Sequence, residues 1–303
     1  MEAIHQKYAA DSSATSATSV RISGKEVEEV GFEKIQKQIS ELKDLRVVVL
    51  DELCISGHAE QRSGESGSMS LAATCPSIRE LDLSRNLFED FVEVMDLMGG
   101  LEHLETLKID GNRFASFTLA NTRMRMVPPY SQLKSLGLDD TLINWKEVED
   151  ICFHLPNLSS LSLAGNQLHA PSTAPLLPTS IRQLNLERNR LESLADIRTL
   201  AVSLPSLERL ILKHNNISCT TIKGAENTTK FSSHLIELDL AFNEINDWQV
   251  VDDLISMFPG LKSLRLAHNP LYRSEDAFVL TVARLSQLST LNYSNVSRIV
   301  ADC

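Results

Sequence analysis

His214 and His268 stand at matching places in two similar stretches, LERLILKHNNI from Leu207 and LKSLRLAHNPL from Leu261. Two imidazoles can share a zinc ion when each reaches it at about 2.0–2.1 Å. The copy between them, LIELDLAFNEI from Leu235, carries Phe242 at that place. If each copy supplies one strand, two steps of ~4.8 Å set the histidines roughly 10 Å apart. That is too far for one ion, so no metal is expected and the pair reads as exposed rim residues. The chain contains no HExxH, GxxxxGK or GxGxxG, and SGKEVEEV holds a Gly-Lys pair without the glycines of a phosphate loop. Cys54, Cys75, Cys152, Cys219 and Cys303 lie far apart with no CxxC pair. They read as free, buried thiols rather than as ligands or a disulfide framework. No catalytic residue and no cofactor are expected, and the chain reads as a non-enzyme.

The charge balance narrows the partners. At 303 residues with a net charge of −11 and a pI near 5.2, the chain lacks the basic surface that phosphate binding needs, so no nucleic acid is expected. The N-terminus MEAIHQKYAADSSATSATS has no apolar leader core, and no run approaches the ~18 apolar residues of a membrane span. The chain reads as cytoplasmic, with a protein as partner.

The elements that must position its side chains are repeats. The pattern L-x-x-L-x-L-x-x-N-x-L recurs as IRELDLSRNLF at Ile78, LETLKIDGNRF at Leu104, LKSLGLDDTLI at Leu133, LSSLSLAGNQL at Leu158 and IRQLNLERNRL at Ile181, then in the three stretches above. LRVVVLDELCI at Leu45 is a weaker first copy, and LSQLSTLNYSNVS a degenerate last one. Most steps fall in the ~20–29-residue range of leucine-rich repeats. The expected fold is therefore α/β: a curved leucine-rich-repeat solenoid with a parallel sheet on the concave face and helices and turns on the convex face. Alternation sends the fourth and sixth positions inward and the third and fifth outward. Asn86, Asn112, Asn166, Asn189, Asn215, Asn243 and Asn269 recur where the chain leaves the strand. A buried amide there can meet backbone groups that no sheet ladder satisfies. Leu53 and Thr141 replace it in two copies, and the second predicts a locally weaker turn.

Between strands the period becomes helical. Val148, Ile151, Cys152 and Leu155 share one face, as do Val251, Leu254, Ile255 and Phe258. Asn144 with Glu147, and Asn246 with Gln249, have the spacing of reciprocal helix N-caps. Residues 1–19 read as a flexible lead-in, 20–44 as an N-terminal cap with Phe32, Ile35, Ile39 and Leu42 at near-helical spacing, and 45–303 as the repeat domain. Within that domain, the Gly/Ser-rich stretch 56–70 reads as a loop.

Function is expected at the outward positions, which are free of the core. Towards the N-terminal end these include Glu80, Asp82, Arg85, Asp110, Asp139 and Asp140, and are predominantly acidic. Towards the other end they include Arg188, Arg209, Ile211, Glu237, Asp239, Phe242, Arg265 and His268, a mixed surface with an apolar centre. Ile211 and Phe242 ringed by arginines have the composition of a protein-binding hot spot, read as standing on adjacent strands. The acidic half would steer and orient more than it binds.

The residues between the leucines add a resemblance. RISGKEVEEVGFEKIQKQISELKDLRVVVL, CPSIRELDLSRNLFEDFVEVMDLMGGLEHLETLKIDGNRF and LKSLGLDDTLINWKEVEDICFHLPNLSSLSLAGNQL resemble the leucine-rich-repeat region of the tubulin-folding cofactor E (tubulin-specific chaperone E) family, from about Val20 to Ser297. VGFEKI and TLINWKEVEDI are the specific parts. The family pattern places a CAP-Gly domain before the repeats and a ubiquitin-like domain after them, and this sequence shows neither. The resemblance implies binding of α-tubulin for assembly and dissociation of the tubulin heterodimer, together with tubulin-folding cofactor B and other tubulin cofactors, close to the cytoskeleton. A leucine-rich-repeat GTPase-activating protein of the Ran type is the other expectation. A phosphatase-regulating scaffold with 22-residue repeats fits the spacings less well.

Overall fold

The computed structural model describes residues 2–8, 20–22, 25–27, 42–56, 71–115, 130–220 and 230–296. Eleven strands form one sheet in strict sequence order: β3 Val47–Val49, β4 Glu80–Asp82, β5 Thr106–Lys108, β6 Ser135–Gly137, β7 Ser160–Ser162, β8 Gln183–Asn185, β9 Arg209–Ile211, β10 Glu237–Asp239, β11 Ser263–Arg265, β12 Thr290–Leu291 and β13 Ser294–Asn295. All neighbours pair in parallel except β12 and β13, which close the sheet as an antiparallel hairpin. A separate antiparallel pair, β1 Val20–Ile22 and β2 Lys25–Val27, precedes them.

The register is uniform because one inward residue per strand stacks on the next. Leu81 lies opposite Leu107, Leu107 opposite Leu136, and so on to Leu264 opposite Leu291. Consensus positions one, four and six of each copy are buried, and position eleven is buried in all but two, as in Ile78, Leu81, Leu83 and Phe88; Ile55 and Phe114 are partly buried. Each such side chain stabilises by ~1.5–3 kcal/mol relative to exposure.

The asparagines tie the turns together. Asn269 Nδ2 donates to its own Leu266 carbonyl at 2.9 Å and to Leu240 of the previous copy at 2.8 Å, while its Oδ1 accepts from Ile245 N–H at 3.0 Å. Asn243, Asn215 and Asn112 donate in the same way across one copy. Thr141 keeps only the local part. Its hydroxyl donates to Leu138 O at 2.9 Å and its N–H to Asn166 Oδ1 at 2.9 Å. Its side chain is too short to span to the copy before it.

Helices pack behind the sheet where the repeat is long enough: α1 Glu2–Tyr8 lies at the N-terminus, α2 is Leu71–Thr74, α3 Phe91–Gly99, α4 Trp145–Cys152, α5 Arg198–Ser203, α6 Trp248–Met257 and α7 Ala277–Arg284. The 23-residue copy from Leu158 has none among the described residues, since Pro171, Pro175 and Pro178 deny helical hydrogen bonding. α4 opens on the expected box, with Asn144 accepting from Glu147 N–H and Glu147 from Asn144 N–H. α6 departs from expectation. Its cap is Asp247, which accepts from Gln249 N–H at 2.9 Å, rather than Asn246. Val250, Val251, Leu254 and Met257 face inward, and Ile255 stands in solvent. A second box, Ser193 with Asp196, starts the 3-10 turn Leu194–Ile197.

Residues 2–8 also differ from a flexible lead-in. Ile4 is buried, and the Tyr8 hydroxyl accepts from Val49 N–H at 2.8 Å and donates to Val49 O at 3.3 Å. One phenol thereby occupies both backbone groups that Val49 leaves on the edge of β3. The near-helical residues Phe32, Ile35 and Ile39 and nearly all of the 56–70 loop lie outside the described residues.

Candidate functional site

Each strand from β3 to β11 is three residues long, so its outward side chains come from two positions, and a third row follows in the turn. Along the outward rows the strands interlock by charge. Arg209 Nε meets Glu237 Oε2 at 2.8 Å, Arg265 Nη2 meets Glu237 Oε1 at 2.9 Å, and Arg265 Nη1 meets Asp239 Oδ2 at 2.9 Å. Strand register explains the set: Glu237 lies opposite Arg209, and Asp239 opposite Arg265. The acids sink into this network, with the Asp239 side chain 5 % exposed, while Arg209 stays 46 % exposed. Ile211 lies half-buried beside Asp239. Towards the other end Lys108 pairs with Glu80 at 2.7 Å.

Several acids have a structural task that the sequence did not disclose. The chain bends away after the sixth consensus position, and the next N–H needs an acceptor. Asp82 Oδ1 accepts from Ser84 N–H, Asp239 Oδ1 from Ala241 N–H, Asp110 Oδ1 from Asp139 N–H, and Asp139 Oδ1 from Ala164 N–H. Asp110 fits because Gly137 has no side chain: a Cβ there would lie 2.7 Å from its Oδ1. Burial pushes the Asp110 carboxyl up to about 6, reinforced by Asp139 and Asp82 and opposed by the bond from Asp139 N–H. Asp139 is raised for the same first reason, against bonds from Ser162 and Ala164.

The eighth consensus position forms the third row, and it is the main difference from expectation. Its backbone is left-handed in copy after copy: Glu52, Arg85, Gly111, Asp140, Gly165, Arg188, His214, Phe242 and His268 have φ between 53° and 69°. Phe242 therefore stands on the rim after β10, not on a strand beside Ile211. A left-handed aromatic residue is unfavourable by ~1–2 kcal/mol, and the hydrogen-bonded turn imposes it. The side chains of this row meet along the solenoid. Arg85 pairs with Glu52 at 2.6 Å, and its aliphatic stem passes over Gly111. Arg188 reaches past Gly165 to Asp140 at 3.2 Å. His214, Phe242 and His268 then form a continuous stack, with ring centroids 4.2 and 4.0 Å apart and planes within 23° and 14°. The Phe242 ring fills the space between the imidazoles, so the histidines cannot share an ion. No metal-binding group of three or more ligand-type residues occurs among the described residues.

Around the stack, Lys213 Nζ lies 5.3 Å from the Phe242 centroid and also 3.6 Å from Glu187. Arg265 lies over Tyr293 at 4.2 Å, and Tyr293 is 78 % exposed. An open groove of about 590 Å³ runs beside Phe242 and His268, lined also by Glu244, Pro270, Tyr272 and Arg273. The shared register place of the two histidines and Phe242 was visible in the sequence. Their contact was not, because strand alternation does not say where a left-handed turn aims its side chain.

Known proteins agree with this architecture. A family model described as Leucine Rich repeat matches residues 231–247. The crystal structure of the leucine-rich repeat domain of APL1B superposes with a TM-score of 0.52 at 17 % identity, covering 89 % of this chain and 67 % of that one. By sequence, the chain is 33 % identical over 282 residues to tubulin-specific chaperone E of Homo sapiens, covering 90 % of this chain and 50 % of the relative. It is 30 % identical over 254 residues to the tubulin-specific chaperone cofactor E-like protein of Rattus norvegicus, covering 83 % and 57 %. The chain thus spans about half the length of the curated relatives it matches. No helix among the described residues is long and apolar enough to cross a membrane. The chain is a leucine-rich-repeat solenoid that is similar, over 90 % of its length, to proteins named tubulin-specific chaperone E.

Proposed function

We propose that this chain is the scaffold of a tubulin-folding cofactor, a non-catalytic protein that binds α-tubulin through the concave face and its rim. The observation that carries the reading is the similarity, over 90 % of the chain, to relatives named tubulin-specific chaperone E. A face that holds α-tubulin more tightly than the partner subunit does shifts the dimer equilibrium by differential affinity alone, and needs no bond-making group. Assembly and dissociation of the heterodimer are then two directions of one equilibrium, with cofactor B and other tubulin cofactors as further partners and the cytoplasm, near the cytoskeleton, as the place of action. Residues proposed to contact tubulin are Arg188, Arg209, Ile211, Phe242, Arg265 and His268. Glu80, Asp82, Asp110, Asp139 and Asp140 orient the encounter from the acidic end.

The test is capture of purified α-tubulin by the chain carrying Arg209→Ala with Phe242→Gly. Glycine suits the left-handed backbone, as Gly111 and Gly165 do in the same row, and Glu237 keeps Arg265 when Arg209 is lost. Loss of one hot-spot ring and one charge weakens binding at least tenfold, or about 1.4 kcal/mol. Unchanged capture with an unchanged melting temperature removes the concave face from the reading. Acceleration of nucleotide hydrolysis by a Ran-type GTPase would favour the alternative.

A further inference from the structure

Three half-buried acids of the concave face lack an ion-pair partner. The acids around them are paired, Glu52 with Arg85, Glu80 with Lys108 and Asp140 with Arg188. Asp82, Asp110 and Asp139 belong to three successive copies and enter no salt bridge among the described residues. Each gives its Oδ1 to a turn N–H, and among the described residues no hydrogen bond reaches the Oδ2 of any of them. Burial raises the Asp110 and Asp139 carboxyls, and neighbouring acids push them further than Lys108 and Arg188 pull them back. Ser84 holds the same seventh consensus place as Asp110, one copy earlier; it is 9 % exposed and its Oγ has no partner among the described residues. Asp110 and Asp139 lean towards the seventh N–H of the copy that follows, so Ser84 in that place turns its Oγ towards Asp110. Beside these groups the sheet is hollowed. The outward positions of β6 and β7 and the turn after β7 hold Ser135, Gly137, Ser160, Ser162, Ala164 and Gly165, none larger than serine.

From this we infer that the hollow over β6 and β7, with Asp82, Asp110 and Asp139 along its edge, docks a basic segment of the protein partner. Adjacent copies lie ~4.8 Å apart, so one lysine ammonium, with its three donors, reaches the carboxylates of both Asp110 and Asp139. Ser84 Oγ adds a neutral acceptor behind Asp110. The small side chains of the hollow let an extended backbone come close enough to deliver the lysine. Side chains on one face of such a segment recur every ~6.6 Å, which brings a second lysine towards Asp82. The partner thereby supplies these three acids with the cations that Glu52, Glu80 and Asp140 find within the chain. This inference rests on the concave face being the protein-docking surface, and it adds that the element received at these strands is basic.

The experiment measures fluorescence anisotropy of a fluorescein-labelled octalysine peptide, with octaglutamate as the comparison. Octalysine is expected to bind the unmodified chain more tightly than octaglutamate, with affinity falling as salt rises. Because an acidic chain attracts octalysine everywhere, the decision lies between two variants of equal charge. Asp110→Asn with Asp139→Asn keeps both acceptors for the turn N–H groups and is expected to weaken binding at least tenfold. Glu102→Gln with Glu275→Gln removes the same charge from exposed positions elsewhere and is expected to weaken it less than twofold. If the first variant melts early, Asp82→Asn alone is expected to weaken binding at least threefold. No binding of octalysine, equal losses in the two double variants, or an unchanged affinity in the aspartate variants overturns the proposal. α-Tubulin capture by the unmodified chain is read in parallel. Capture that persists while octalysine ignores the aspartates defeats this inference alone. Absent capture with aspartate-dependent peptide binding defeats the tubulin reading alone.

Discussion

Replacing Thr141 by asparagine should stabilise the protein, although natural substitutions in a buried turn mostly destabilise. Thr141 is buried at 2 % exposure where seven other copies carry the amide. Its hydroxyl reaches Leu138 O, but nothing on its side chain reaches the copy before it in the way that Asn112 reaches Leu83 O and Asn243 reaches Leu212 O. The Ile109 carbonyl therefore receives Asn112 Nδ2 without the second amide donor that Leu83, Leu212 and Leu240 each receive. Asparagine would add that donor and would place an acceptor towards Phe114 N–H, where Asn86 accepts from Ile55 N–H in an equivalent copy. It would forfeit the 3.1 Å contact between the Thr141 hydroxyl and Asn166 Oδ1. With each net hydrogen bond worth ~0.5–1.5 kcal/mol, the balance is a gain of about 1 kcal/mol. For a chain of this size that raises the melting midpoint by about 2 °C. Urea titration followed by far-ultraviolet circular dichroism should give a higher midpoint at unchanged slope. A lower midpoint for Thr141→Asn would refute the claim that the ladder is incomplete there rather than differently satisfied.

Two other outcomes follow from the same hydrogen-bond and charge arguments. Asn243→Ala removes a side chain that is bonded to Leu212 O, Leu240 O and Ile217 N–H, and at ~1–3 kcal/mol per stranded buried group it should cost about 3–5 kcal/mol in the urea experiment. A loss below 1 kcal/mol would mean that water enters the turn at little cost. The pH test concerns Asp110, whose folded carboxyl titrates near 6 against an ordinary value of 3.8. The folded state therefore holds its proton more tightly than the unfolded state, so this residue favours folding below about 4 and loses that contribution as pH rises through about 6. Asp110→Asn keeps the acceptor for Asp139 N–H and should flatten stability between pH 4 and 7 relative to the unmodified chain. Parallel curves for the two proteins would place the raised titration elsewhere.

How much of this was readable in advance depended on whether one residue type had one use. Leucines and the ladder asparagines do, so the sheet, its inward rows and the bonded turns followed from spacing. The Asn144–Glu147 box was legible because only one pair fitted it. At α6 two neighbouring residues could cap, and Asn246 gave way to Asp247, while Ile255 lies in solvent. The acids misled more deeply. Asp82, Asp110, Asp139 and Asp239 look like a display of charge, yet each accepts a turn N–H, and sequence cannot separate those uses. The lead-in was read by composition, which cannot register that a single tyrosine finds both groups of Val49. The ring stack was unreadable because it needs a backbone conformation that aromatic residues seldom adopt.

The left-handed row of turns has a consequence for how the protein can change. Its backbone is held by its own N–H, which donates to a carbonyl of the next copy, as Glu52 does to Ser84 O, Asp140 to Ala164 O and Phe242 to Ala267 O, so the side chain at that place contributes little to keeping the turn. Glutamate, arginine, glycine, aspartate, histidine and phenylalanine all occupy it with nearly the same φ. The row behaves like movable type locked in a frame. Each character can be exchanged without resetting the line, and its neighbours one copy away decide only whether it pairs, passes over or stacks. New specificities could therefore be written along this edge one residue at a time, with the hydrophobic interior left unedited.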